Sequence, residues 1–350
     1  MDTPVKADFN YSLKNIPLPK KDTYLKKLIQ QVENVLQRIR WKTWFFLNPP
    51  DKPPPDRHGF KTPHNAPISR ELVNFEADVT HLIANIEFRQ PSNSKFQNKL
   101  KKDVRKINKS QNLFVKADKT SNVYEVSKDD YNKYLRDNVT AHYEKASSET
   151  ENDINIEARE ITDKLKISDR VEPIAHNKAY ITIKDHKDEF PNVVKCRLIN
   201  PAKTQIGRLS KEILQEVNSK IRETYNLNQW RSTGETLQWF KEIKEKTRRV
   251  FLQLDIVDFY PSINEELLNE ALDFADSVTP LSQINRQILK NARKSLLFSN
   301  DTTWQKKTGL HDVTMGSYDG CEVCELVGLL LLKEMAHHFP EICYGMVLCR

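Results

Sequence analysis

At 350 residues the chain is long enough to bury a substantial core and to hold two or three domains. Charged residues make up 29% and mean hydropathy is −0.67, and no apolar run reaches the roughly 20 residues of a membrane-spanning helix. Net charge is +7 but uneven: residues 1–120 hold about 23 Lys and Arg against about 12 Asp and Glu, leaving the remainder acidic by about 4. A basic front and an aspartate-bearing centre suit a protein that grips phosphates in one region and metal ions in another. A solubilising surface is the simpler account of the charge taken alone. Residues 1–8 lack the charged-then-apolar pattern of a signal peptide. With five cysteines, an odd number, this predicts reduced thiols in an intracellular protein of nucleus or cytoplasm.

The first predicted helix covers 24–47, where Leu25, Leu28, Ile29, Val32, Val35, Leu36 and Ile39 recur at helical spacing, and reads as a bundle helix. Prolines at 49, 50, 53, 54 and 55 stop it and open an extended linker to about residue 67. A second helix over 69–87 turns Leu72, Phe75, Val79, Leu82 and Ile86 inward. Together these form a helical extension over 1–93. A basic helix at 94–110 follows, with Phe96, Leu100, Val104 and Ile107 on one stripe. Its Lys99, Lys102, Arg105 and Lys106 fit a nucleic-acid backbone or a solvated face equally.

Two β-prone runs, 113–115 and 123–126, flank a polar turn at 118–122 that contains Asp118 and Lys119, and so predict a hairpin. Helical stretches at 128–138 and within 144–170 carry no evident chemistry. A second hairpin is predicted from strands 180–183 and 193–199 around a polar turn. It holds Lys184, Lys187, Lys195 and Arg197 on a rigid support. Arginine gives bidentate phosphate contacts and lysine a point charge; without further support this is a charged hairpin. The stretch 203–210 leads into a long helix to about residue 225, and with a helix at 233–245 completes a basic helix and fingers-like region over 94–249.

The run Val250-Phe-Leu-Gln-Leu-Asp-Ile-Val-Asp-Phe-Tyr-Pro-Ser-Ile263 predicts a buried strand interrupted by Asp255 and Asp258. Carboxylates there are costly to bury without a cationic partner, and a divalent metal is one such partner. Ser262 or Asn264 is expected to cap the helix after it. A helix over 282–297 and a hairpin around 300–301 follow. Gly309 to Gly328 then reads as a glycine-bearing loop, with Gly316 and Ser317, entering an apolar helix. Cys321-x-x-Cys324 has no second pair, so the two read as small buried thiols.

The stretch at 250–263 resembles motif A of the reverse transcriptase palm, and 309–328 resembles its motif B. The Ala117-Asp-Lys119 turn is similar to a region preceding the polymerase motifs in Penelope-like retroelements. The resemblance implies an α+β fold of fingers and incomplete palm, the latter over 250–350, with an antiparallel sheet packed on helices. It implies a retrotransposon reverse transcriptase, Penelope-like or related non-LTR in type, that makes DNA from a template by two-metal nucleotidyl transfer. Asp255 would bind catalytic Mg²⁺ or Mn²⁺, with Asp258 a second, less defined acidic position. Tyr260 would abut the incoming sugar, Arg197 and either Lys184 or Lys187 would hold its triphosphate, and Gly316 with Ser317 would let template and nucleotide approach. Lys119 and the basic helix would contact nucleic acid. The partners implied are an RNA or DNA primer-template and deoxynucleoside triphosphates, with no membrane and no defined oligomeric state. The family's motif C pairs two aspartates, and no Asp-Asp follows Gly316 in these residues. The chain is therefore expected to stop at or before that motif and to be a poor polymerase as it stands. A non-catalytic nucleic-acid-binding remnant is the alternative; a metal-dependent nuclease or phosphatase also pairs aspartates but leaves the glycine loop unexplained.

Overall fold

The computed structural model describes residues 21–49, 65–86, 95–171, 177–227, 229–230, 232–251, 253–257, 259–339 and 346–347. The chain divides into two compact units: residues 1–132 with 183–195, and residues 133–182 with 196–350. The fold is α+β, helix-rich, with small separate sheets.

The first unit begins with α1 (Lys21–Leu47) and α2 (Val73–Ala84). Arg40 donates to both oxygens of Glu76, at 2.6 and 2.7 Å, and so ties the two helices together. A forked, charge-assisted pair of this kind is among the stronger polar links, and Arg40 holds the Glu76 carboxyl below its ordinary range. The apolar faces predicted for these helices are only partly covered: Leu36 is buried and Leu25, Leu28, Val32, Ile39, Leu72 and Val79 are half-buried, but Ile29, Val35, Phe75, Leu82 and Ile86 are exposed. Helical periodicity marks which side could be buried and does not supply the partner. The proline-rich stretch at 50–64 lies outside the described residues. Next comes α3 (Lys95–Lys109), which buries Leu100. Strands β1 (Leu113–Lys116) and β2 (Val123–Val126) then pair antiparallel, Leu113 facing Val126. The 183–195 segment joins this unit through a parallel bridge between Ala117 and Ile183.

The second unit takes in most of α4 (Lys128–His142), then β3 (Tyr143–Lys145), α5 (Ser148–Lys164), and the paired strands β4 (Tyr180–Ile183) and β5 (Cys196–Ile199). It continues through α6 (Gln205–Tyr225), β6 (Gln229–Trp230), α7 (Thr233–Glu242), the single turn α8 (Phe259–Ser262), α9 (Glu265–Val278) and α10 (Gln283–Asn291). Strands β7 (Leu297–Ser299) and β8 (Thr302–Lys306) form an antiparallel sheet with β3, in the order β3-β8-β7. Helix α11 (Gly320–His338) and β9 (Met346–Val347), which pairs parallel with β6, end the described chain. The core lies among α6, α9 and α11, where Leu214, Ile221, Leu272, Ala275, Leu326 and Leu329 are buried together. Helices α6, α9 and α10 start where capping side chains stand: Thr204, Asn264 and Ser282 each accept a backbone N–H of the first turn. Asn264, not Ser262, is the cap of α9; Ser262 Oγ donates back to Phe259 O.

One expectation fails at an important place. The described residues of this run, 250, 251 and 253–257, belong to no strand, and Val250, Leu254 and Val257 are 87%, 84% and 81% exposed. An apolar run becomes a strand only when a neighbour completes its backbone ladder, and no such neighbour stands among the described residues. The helix predicted over 282–297 ends at Asn291, with its tail turning into β7, and the returning strand of the second hairpin is only Cys196–Ile199.

Candidate functional site

The glycine loop, 309–319, lies between β8 and α11. Gly316 has φ +122°, and a Cβ there would stand 2.6 Å from Asn200 O and 3.2 Å from Pro201 Cα. The loop is therefore pressed onto the backbone that leaves β5, and Asn200 N donates to Met315 O at 3.1 Å. Arg197, half-buried, lies on β5 three residues upstream. Ser317 Oγ donates to Thr314 O inside the loop.

Tyr260 approaches the same loop from α8. A Cβ on Gly320 would meet Ser317 Oγ at 2.9 Å and the Tyr260 ring at 3.3 Å, so glycine at the start of α11 lets the ring pack there. The Tyr260 hydroxyl lies 3.6 Å from Cys321 Sγ; burial, then that contact, raises its pKa. Lys306 of β8 fixes α8 by donating to Pro261 O at 3.0 Å while pairing with buried Asp312 at 3.1 Å. Asp312 also accepts from Tyr143 of β3 at 2.6 Å. Under the loop, Asp319 is 0% exposed and accepts from Arg293 and Ser210; Arg293 is 1% exposed. Arg197, Tyr260, Gly316 and Ser317 thus belong to one connected piece of the second unit.

A cationic pair of turns forms in the first unit. Asp118 N donates to Ile183 O at 2.8 Å, which sets the 118–122 turn beside 184–187. Asp185 Oδ2 accepts from Thr120, Asn122 and Tyr124. Burial alone would raise its pKa, but these three donors outweigh burial and hold it below the ordinary value. Lys119 and Lys187 are exposed and Lys184 is half-buried. On α3, Lys99, Lys102, Arg105 and Lys106 are all exposed.

Asp255 is exposed in the 253–257 stretch, which is neither helix nor strand, and Asp258 lies outside the described residues. Among the described residues, no three His, Cys, Asp or Glu side chains gather as a metal set. A two-metal centre needs carboxylates on both sides of its ions; of the two aspartates named for it, only Asp255 lies among the described residues. No helix among them is long and apolar enough to cross a membrane.

No protein-family profile matches this chain, and no curated protein matches it. Among solved structures it is similar to the apo telomerase of Candida tropicalis truncated from its C-terminal domain, at 10% identity and a TM-score of 0.41. The match covers 65% of this chain and 48% of the telomerase chain, so the chain spans about half the length of the protein it matches. Neither site nor activity transfers at that level of likeness.

Sequence reading missed Asp185, which holds the pair of turns in the first unit, and Asn200, Arg293 and Asp319, which hold the glycine loop in the second. The signal available was charge set among apolar neighbours, as at Asp319 ahead of the apolar helix. The expectation of two buried thiols holds for Cys324 and fails for Cys321, which is exposed.

Proposed function

We propose that the chain is a polymerase-like module of reverse-transcriptase type, derived from a retrotransposable element, that binds an RNA or DNA primer-template and a deoxynucleoside triphosphate. The observation that supports this most is the joint seating of Tyr260 and the Gly316 loop, with the loop fastened to the end of the Arg197 strand. These residues come from three separate stretches whose order along the chain matches the motifs. In this reading Arg197 grips phosphate, Tyr260 forms a wall against the sugar, and Gly316 and Ser317 keep the loop low enough for a base pair to lie over it. Lys184 or Lys187 adds a point charge for the triphosphate, while Lys119 and the exposed face of α3 bind the nucleic-acid backbone. A divalent ion, Mg²⁺ or Mn²⁺, belongs to the reading, with Asp255 and Asp258 as its protein donors; no step above rests on it.

The test is photo-crosslinking of a labelled deoxynucleoside triphosphate in the presence of primer-template, followed by peptide mapping. Labelling around Arg197 or Tyr260, competed by unlabelled nucleotide and lost in Arg197→Ala, is expected. Labelling elsewhere, or none, defeats the nucleotide reading. The exposed setting of Asp255 favours a second reading, a nucleic-acid binder without catalysis. Primer extension separates the two: extension that Asp255→Asn abolishes supports the polymerase, and binding without extension supports the binder.

A further inference from the structure

The first turns of α11 carry two thiols that the proposed function does not use. We propose that Cys321 and Cys324 form a dithiol site that reacts with small-molecule disulfides and closes to an intrahelical disulfide. Cys321 is exposed and Cys324 is buried. Three residues apart in a helix, their Cα atoms lie about 5 Å from each other, within the roughly 4.4–6.8 Å that a disulfide spans, and on the same face. The Tyr260 hydroxyl, 3.6 Å from Cys321 Sγ, marks that face. Among the described residues no third His, Cys, Asp or Glu joins the pair as a metal set, which leaves thiol chemistry.

Unequal exposure divides the roles. Cys321 is the exposed residue of the pair and Cys324 is 2% exposed, so Cys321 is the one that attacks a disulfide in solution. Burial pushes the Cys324 thiol up to about 12, which keeps it protonated and inert until an electrophilic sulfur is held beside it. With oxidised glutathione the Cys321 thiolate attacks one sulfur, forms a mixed disulfide and releases glutathione thiolate. Cys324 then attacks the Cys321 sulfur and expels the second glutathione. Both thiol protons end on the two released glutathiones. Two protein thiols have lost two electrons, and the small disulfide has gained them. Closure draws Cys321 Sγ toward Cys324, so it alters the contact with Tyr260.

The experiment treats the reduced 350-residue chain with excess oxidised glutathione, quenches it by alkylation, and maps the peptides by mass. The expected product is a peptide carrying both cysteines, two hydrogens lighter, unalkylated until dithiothreitol is added. Cys324→Ser is expected to stop with one glutathione on Cys321, and Cys321→Ser to leave Cys324 unmodified. A wild-type chain that retains glutathione on Cys321 without closing overturns the proposal. So does one in which both sulfurs remain free to alkylate, or one that links Cys321 to Cys196, Cys343 or Cys349.

Discussion

Neutralising the exposed face of α3 tests whether it binds nucleic acid. Lys99, Lys102, Arg105 and Lys106 are each exposed, and at 100° per residue they fall within an arc of about 120°, turned away from Leu100. The run from 99 to 106 rises about 10 Å, along which duplex DNA presents about six phosphate charges. Four simultaneous phosphate contacts are therefore sterically ordinary. Each contributes about 0.9 to the slope of log affinity against log salt, so replacing all four by glutamine should flatten that slope by about 3.6. Between 50 and 200 mM salt the wild type should then lose on the order of a hundredfold more affinity than the variant. Lys106 also pairs at 3.9 Å with Asp103, which is itself buried, so the fold of the variant is checked alongside its binding. Fluorescence anisotropy with a labelled primer-template duplex measures both slopes, and circular dichroism checks that α3 persists. Equal slopes in a folded variant would mean that this face only meets solvent.

Gly316→Ala should lower the urea midpoint: a non-glycine residue at φ +122° carries strain of about 1–3 kcal/mol, and its methyl also meets the Asn200 carbonyl at 2.6 Å. An unchanged midpoint would show that the loop does not rest on β5. Asp319→Ala leaves Arg293 buried and unpaired and should cost about 3–5 kcal/mol, with much of it recovered when Arg293→Leu is added; no recovery in the double variant argues against the pair. Asp185 has a depressed carboxyl pKa, so its contribution is present above the ordinary carboxylate value and is lost as pH falls through the folded one. Wild type and Asp185→Asn should therefore differ most near neutrality and converge in acid by chemical denaturation; a gap that persists to the lowest pH would refute this.

What was legible in the sequence was whatever local chemistry fixes. Asn264, expected as a cap, starts its helix by accepting the Leu267 N–H, and the polar turn between Leu113 and Val126 closes a hairpin. Gly316 was singled out as a glycine that permits close approach. It does permit one, but the partner is Asn200, 116 residues earlier. The run from Val250 to Leu254 failed for the converse reason: its apolar residues satisfy a strand pattern, yet a strand also needs a second chain segment to pair with. Asp185 and Asp319 were not legible because a carboxylate looks the same in sequence whether it meets water, three donors or a buried guanidinium.

The loop also explains why the parts of the candidate site should act together. Gly316 sits on the backbone leaving β5, Gly320 admits the Tyr260 ring, and Asp319 between them is held from below by Arg293 and Ser210. Lys306 then ties α8 to the same loop through Pro261 and Asp312. A shift at one of these points bears on the others, because they are close approaches and buried or half-buried polar links within one packed region. Residues that share such contacts show non-additive energetics. The loop is thus a rigid platform on which Tyr260 and the end of the Arg197 strand hold a fixed relation. Asp255, five residues before Tyr260 but exposed and outside this network, is not held by it.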